Sequence, residues 1–231
     1  MLPTVPLPRR PLHPSDSVRQ WYENELGWAT VPGSPLRLAS GLRFDVLDIP
    51  AEAGVKALRH LGPASPVALR RSRSAPREDP AARREDPAAR RGKWPARYGT
   101  RMWLLVAAGS AEELPGLLDW LEWGALALDL TAIGAGGSIE APLPPGVPVG
   151  PLTADGAEAG ADGPGGAGPQ GAAVWLRPPE PGCEVEPSLP TLSAVGGDGG
   201  APDLVRLVDT VATQCHRVRL RRACAQPPAY S

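Results

Sequence analysis

The chain has 231 residues, enough for one large domain or two small ones. Its 27 glycines and 30 prolines are about a quarter of the sequence, roughly twice the usual share, so part of it is not packed core. Yet 42% hydrophobic and 21% charged residues exclude whole-chain disorder and collagen-like repetition.

Up to Ser17 the sequence is a Pro-rich tail expected to stay extended and disordered, because proline removes backbone donors and blocks helix. Asp16 and Ser17 are placed to cap a helix from Val18 to about Leu26, with Val18, Trp21 and Tyr22 on one face and Gly27 ending it. A short strand is predicted at Trp28 to Val31, and the clearest strand is LRFDVLDI at 42–49. Pro50 opens a helix AEAGVKALRHL with Val55, Leu58 and Leu61 at helical spacing, and another strand follows near Pro66 to Leu69.

Residues 71–97 break this pattern. REDPAAR at 77–83 recurs unchanged at 84–90, with no apolar face to bury, so the segment is expected to be a disordered insertion. It carries nine Lys or Arg against four Asp or Glu, and residues 201–231 carry five against two, so the net charge of −1 hides two basic segments on an acidic body. Order is predicted to resume with a strand at Met102 to Ala107. Ser110 and Glu113 then have capping-box spacing before a helix carrying Leu114, Leu117, Leu118 and Leu121. Strands are expected at Leu126 to Leu130 and Ser138 to Ala141, joined as a hairpin by the glycine-rich turn with Gly134, Gly136 and Gly137. A second low-complexity insertion runs from about 143 to 171, too poor in apolar residues to repay the entropy of ordering.

A last strand is AAVWLR at 172–177, and a last helix, ending near Cys224, places Leu204, Val208, Val211, Cys215 and Val218 on one stripe before a short tail at 225–231. The alternation predicts a single domain over 18–224, α/β to α+β in class, with a mixed sheet packed by helices and interrupted by the two insertions. No stretch approaches the roughly 18 apolar residues of a membrane span, and the N-terminus lacks a signal-peptide core, so a cytoplasmic chain with no membrane partner is expected. Cys183, Cys215 and Cys224 are odd in number and lack CxxC spacing, which signals neither a disulfide framework nor a zinc ribbon.

Two carboxylates on apolar strands ask for an explanation, because burying an unpaired carboxylate is costly. They are Asp48 in FDVLDI and Asp129 in ALALDL. Asp45 is three residues from Asp48 and therefore falls on the opposite strand face, while Pro50 occupies the next position on the face of Asp48. Neither companion completes a DxD pair there. On the last helix Cys215 belongs to the apolar stripe and is expected in the core rather than as a metal ligand beside His216.

Five blocks in order resemble the N-terminal domain of bifunctional DNA primase/polymerases, a branch of the archaeo-eukaryotic primase superfamily, in the shorter form found in actinobacteria. They are WYENELGWATVPGSP, GLRFDVLDIPAEAG, MWLLVAAG, ALDLTAIGAGGSIEAPLPP and AVWLRPP, spanning roughly residues 18–180. The resemblance implies a nucleotidyltransferase-like DNA-binding domain, and it carries Asp48 and Asp129 onto catalytic acids that would hold Mg²⁺ or Mn²⁺. It departs from the family where Pro50 replaces the second acid of the first motif, and where Arg101 and Met102 stand near the place of a nucleotide-contacting His. Two acids make a poor cage for two cations, so the expectation is a degenerate active site in a nucleic-acid-associated or regulatory protein.

The implied partner is single-stranded nucleic acid or a replication-associated protein. Contacts to phosphate would come from Arg83, Arg84, Arg90 and Arg91 of the insertion and from Arg217 and Arg221 of the last helix. Two alternatives stand beside this reading. One is a protein-interaction module that kept the fold and lost nucleic acid. The other is an active nucleotidyltransferase with a rearranged metal site, in which Asp45, Glu52 or Glu140 replaces the missing ligand.

Overall fold

The computed structural model describes residues 14–61, 65–71, 100–146, 173–182, 184–192 and 203–224. Residues 1–13 of the expected N-terminal tail, the C-terminal tail and the cores of both insertions, including Arg83, Arg84, Arg90 and Arg91, lie outside the described residues. Pro14–Ser17 are instead helical, so Asp16 and Ser17 stand inside the first helix and do not cap it at Val18. The elements in chain order are α1 (Pro14–Gln20), a π-helical turn (Trp21–Glu25), β1 (Thr30–Val31), β2 (Arg37–Ala39), β3 (Phe44–Pro50), α2 (Ala51–Ala57), β4 (Val67–Arg71) and β5 (Thr100–Ala107). They continue with α3 (Ser110–Trp120), β6 (Thr131–Ile133), β7 (Ser138–Glu140), β8 (Ala173–Arg177), a 3₁₀ turn (Glu186–Ser188) and α4 (Leu204–Cys224).

β3-α2-β4-β5-α3-β6 forms a βαββαβ unit whose strands lie side by side in the order β6-β3-β5-β4, with β8 added next to β4. This is the split-βαβ arrangement of ferredoxin-like sheets. All its ladders are antiparallel, as are those of the smaller sheet β1-β2-β7, so the fold is α+β, with antiparallel sheets in place of the mixed sheet expected. Parallel pairing is confined to the isolated bridges Leu143 to Val174 and Thr191 to Asp203.

Strand alternation divides the core in two. Leu47 and Ile49 of β3 face a helical layer in which Ala53 and Ala57 of α2, Leu114 and Leu117 of α3, and Val208, Val211 and Cys215 of α4 are buried together. Phe44 and Val46 face the other way, onto Tyr22, Trp28, Leu38 and Ile139 of the N-terminal segment and the small sheet. The α4 stripe is therefore buried as its spacing predicts. In α2 the buried face is instead Ala53, Gly54 and Ala57, with Val55 exposed, because small residues let this short helix lie close on Met102.

Residues Leu126–Leu130 do not form the strand expected of them. Turn bonds from Leu126 N–H to the Trp123 carbonyl and from Leu128 N–H to the Leu126 carbonyl occupy this backbone, and pairing starts only at Thr131 opposite Asp48. The glycine turn after β6 is also no hairpin. Its strands leave to different sheets, and Gly41, at φ 84°, lies so close that an added Cβ would sit 2.3 Å from the Ala135 Cα. The capping box at Ser110 is absent too. Gly109 is the N-cap, in the left-handed region at φ 93°, and the N–H of Ala111 donates instead to Asp45, 66 residues earlier.

Candidate functional site

Asp48 and Asp129 come together at the end of the large sheet where β3 runs out and β5 begins. Asp48 pairs in register with Trp103 on one side and Thr131 on the other, so Asp129, two residues before Thr131, hangs beyond the sheet end beside it. Arg101 is opposite Pro50 in β5 and shares a sheet face with Trp103, which puts its side chain diagonal to Asp48. It fills the space between the acids. Nε donates to Asp48 Oδ1 at 2.7 Å, Nη1 to Asp129 Oδ1 at 2.5 Å, and Nη2 to the Asp48 carbonyl at 2.9 Å.

The three side chains differ in access: Asp48 is 18% exposed, Arg101 20% and Asp129 49%. Burial pulls the guanidinium pKa down, but hydrogen bonds and charge from both carboxylates outweigh it, so Arg101 titrates above its ordinary range. Asp129 is also reached from the helical layer. Arg222 of α4 lies 3.8 Å from its Oδ2, and the Cys215 thiol contacts its carbonyl at 3.8 Å. Burial first, and then the charge of Asp129, push that thiol to about 12, so Cys215 is an inert core group as its stripe position implied. In the first turn of α2, Glu52 is held by Lys56 and by Arg221, each at 3.2 Å.

The residues do not fit the divalent cations that the resemblance implies. A hard cation needs several oxygen ligands with free lone pairs. Here one oxygen of each acid is taken by Arg101, Pro50 is buried and offers no carboxylate, and Asp129's other oxygen faces Arg222. None of the proposed replacements joins the pair. Asp45 caps α3 in the helical layer, Glu52 is committed to two cations, and Glu140 belongs to the small sheet opposite Arg37. No group of three possible metal-holding side chains occurs among the described residues.

Sequence reasoning singled out Arg101 only as a departure from a motif and missed its bridging role. The signal was present as an arginine at the start of a strand, but the register that sets it diagonal to Asp48 is a property of the folded sheet. Of the arginines expected to meet phosphate, Arg217 is exposed on α4, with its carbonyl accepting from Arg221 Nε. Arg221 is half-exposed but already paired with Glu52, a correction to its reading as a free contact. Arg70, opposite Arg101 in the β4–β5 ladder, is a further exposed cation on the same sheet face, with its guanidinium 5.7 Å from the Trp103 ring centroid. No helix among the described residues is long and apolar enough to cross a membrane. Comparison with known proteins yields no match to any family model, curated protein or solved structure.

Proposed function

We propose that this chain is a primase/polymerase-like domain working as a nucleic-acid-associated module, without robust synthesis activity. The observation that carries this reading is the meeting of Asp48 and Asp129, the two acids the resemblance singles out, at one end of a βαββαβ sheet and on a shared arginine. The register of β3 with β5 and the loop before β6 bring these two acids, far apart in sequence, onto that one guanidinium. Their neutralisation by Arg101 supports loss of metal-dependent chemistry.

At the pair itself Arg101 and Arg222 balance Asp48 and Asp129, and Arg70 adds an exposed cation on the sheet face of Arg101. Exposed Arg70 beside the pair and exposed Arg217 on α4 offer positive charge to phosphate, while the acids themselves are neutralised. Binding would be weak and indifferent to sequence, because such arginines read backbone charge.

Titration of labelled single-stranded DNA at two salt concentrations tests the proposal. Log affinity should fall with log salt by about 0.7 per phosphate contact, and replacing Arg83, Arg84, Arg90 and Arg91 with Gln should flatten that slope. Chelator should leave binding unchanged. No binding at about 50 mM salt, where counterion release still favours real phosphate contacts, would favour the protein-interaction module instead. Primer extension with Mg²⁺ or Mn²⁺ that disappears in Asp48→Ala would overturn the non-catalytic reading.

A further inference from the structure

All three nitrogens of Arg101 are spent on two residues: Asp48, through its carboxylate and its carbonyl, and Asp129. We propose that Arg101 is an internal cation standing where a divalent ion would have to stand, so that guanidinium and metal exclude one another at this site. The wild-type site is a permanent, metal-independent clasp joining β3, β5 and the segment before β6.

Three observations carry this. The first is the shared lone pairs: the two Oδ1 atoms that would bridge to an ion lie 2.7 and 2.5 Å from guanidinium nitrogens. A planar guanidinium matched to two carboxylates is a strong, directional, charge-assisted arrangement. The second is anchorage. Arg101 is paired through β5 with Pro50 and donates to the Asp48 main chain, so its head is tied to the same strand as the acid it neutralises. It cannot leave the acids without breaking that bond as well.

The third is charge. Arg222 lies 3.8 Å from the remaining oxygen of Asp129. A doubly charged ion entering beside Arg101 would meet two carboxylates whose charge Arg101 and Arg222 already balance. Arginine stays protonated throughout the range in which proteins are handled, so no change of pH clears the space. Arg101 is thus a positioning residue. It holds the two acids together while filling the space between them.

The inference stands on these side chains and does not require nucleic-acid binding, so either reading can fail alone. The test uses the full chain and Mn²⁺ itself, with binding followed by loss of the free-ion electron paramagnetic resonance signal and by thermal melting in MnCl₂ against chelator. Wild type should bind no Mn²⁺ at this site and melt identically in both. Arg101→Ser, which removes the guanidinium and opens the space, should acquire Mn²⁺ binding. With ion at about tenfold excess over its dissociation constant, its melting temperature should rise by about 4 °C.

Adding Asp48→Asn to Arg101→Ser should abolish both effects. Arg101→Gln, closer in size and neutral, gives the same reading if the serine variant does not fold. Mn²⁺ binding by wild type that Asp48→Asn removes would overturn the inference. So would a folded Arg101→Ser or Arg101→Gln that remains blind to the ion.

Discussion

Asp45 and Asp48 lie three residues apart on β3, and the sheet gives them opposite solutions to one problem. Asp45 is fully buried on the helical face and is stabilised by a main-chain donor: the Ala111 N–H, at the start of α3, reaches its Oδ2 at 2.9 Å. Its other oxygen is buried with no hydrogen-bond partner. Asp48, on the other face and at the strand end, keeps some access to water and is stabilised by a full positive charge from Arg101. A carboxylate on an apolar strand is therefore not one kind of signal. Facing a helix start it serves packing, and facing the open sheet end it belongs to the candidate site.

The largest effect that can test this contrast is at the clasp. Arg101→Met should destabilise the protein by about 2 to 3 kcal/mol, because it strands one mostly buried carboxylate and one half-exposed one. In Asp48→Asn/Arg101→Met the cost should be well below the sum of the single changes, since the second substitution removes the charge that the first left alone. Equilibrium urea unfolding of the four proteins reads this coupling. Additive costs would show that the pair contributes as two independent surface groups.

A smaller effect is expected on the other face. Asp45→Ala should cost about 1 kcal/mol at neutral pH, the usual size of a lost helix N-cap, here supplied from a distant strand. Its pH dependence should carry a distinct sign. Burial, against the Ala111 hydrogen bond, raises the native pKa of Asp45 above its ordinary 3.8. The folded state then holds its proton more tightly than the unfolded state. The stabilisation is complete below 3.8 and is lost as pH rises through the raised native value. The stability difference between wild type and Asp45→Asn should therefore fall over that window and then level off. A difference that grows with pH there would mean that the ionised form is the favoured one in the fold.

The same contrast explains what was legible in the sequence. Alternation along FDVLDI was enough to assign Asp45 and Asp48 to opposite faces, and the spacing in α4 was enough to bury Leu204, Val208, Val211, Cys215 and Val218. These are local periodicities, and they survive folding. The roles of the acids were not legible, because each depends on a partner fixed by long-range register: Ala111 for Asp45 and Arg101 for Asp48. Ser110 carried a good local capping signal that was overridden, since Gly109 turns the chain left-handed and Asp45 supplies the acceptor. Asp129 looked like a strand residue by composition, yet turn bonds around Trp123 to Leu128 held that backbone out of the sheet. Its place in a loop is what lets it meet Arg101 and Arg222 together.

The smallest effect expected is at Arg222, and it separates the clasp from its surroundings. Arg222 approaches Asp129 only to 3.8 Å, and both side chains are about half exposed, at 58% and 49%. Exposed pairs at this distance are weakened by water and salt and cost side-chain entropy to hold, so Arg222→Gln should change stability by no more than about 0.5 kcal/mol. The change should vanish in high salt, where screening over a few ångströms removes what attraction remains. Arg101 is closer, more buried and bonded through all three nitrogens, so most of its effect should persist under the same conditions. Urea unfolding of Arg222→Gln and Arg101→Met at low and high salt makes the comparison directly. Equal salt sensitivity in the two variants would mean that Arg101 is one member of a diffuse surface network, and that the acids are held by overall charge and not by the directed bonds of a single guanidinium.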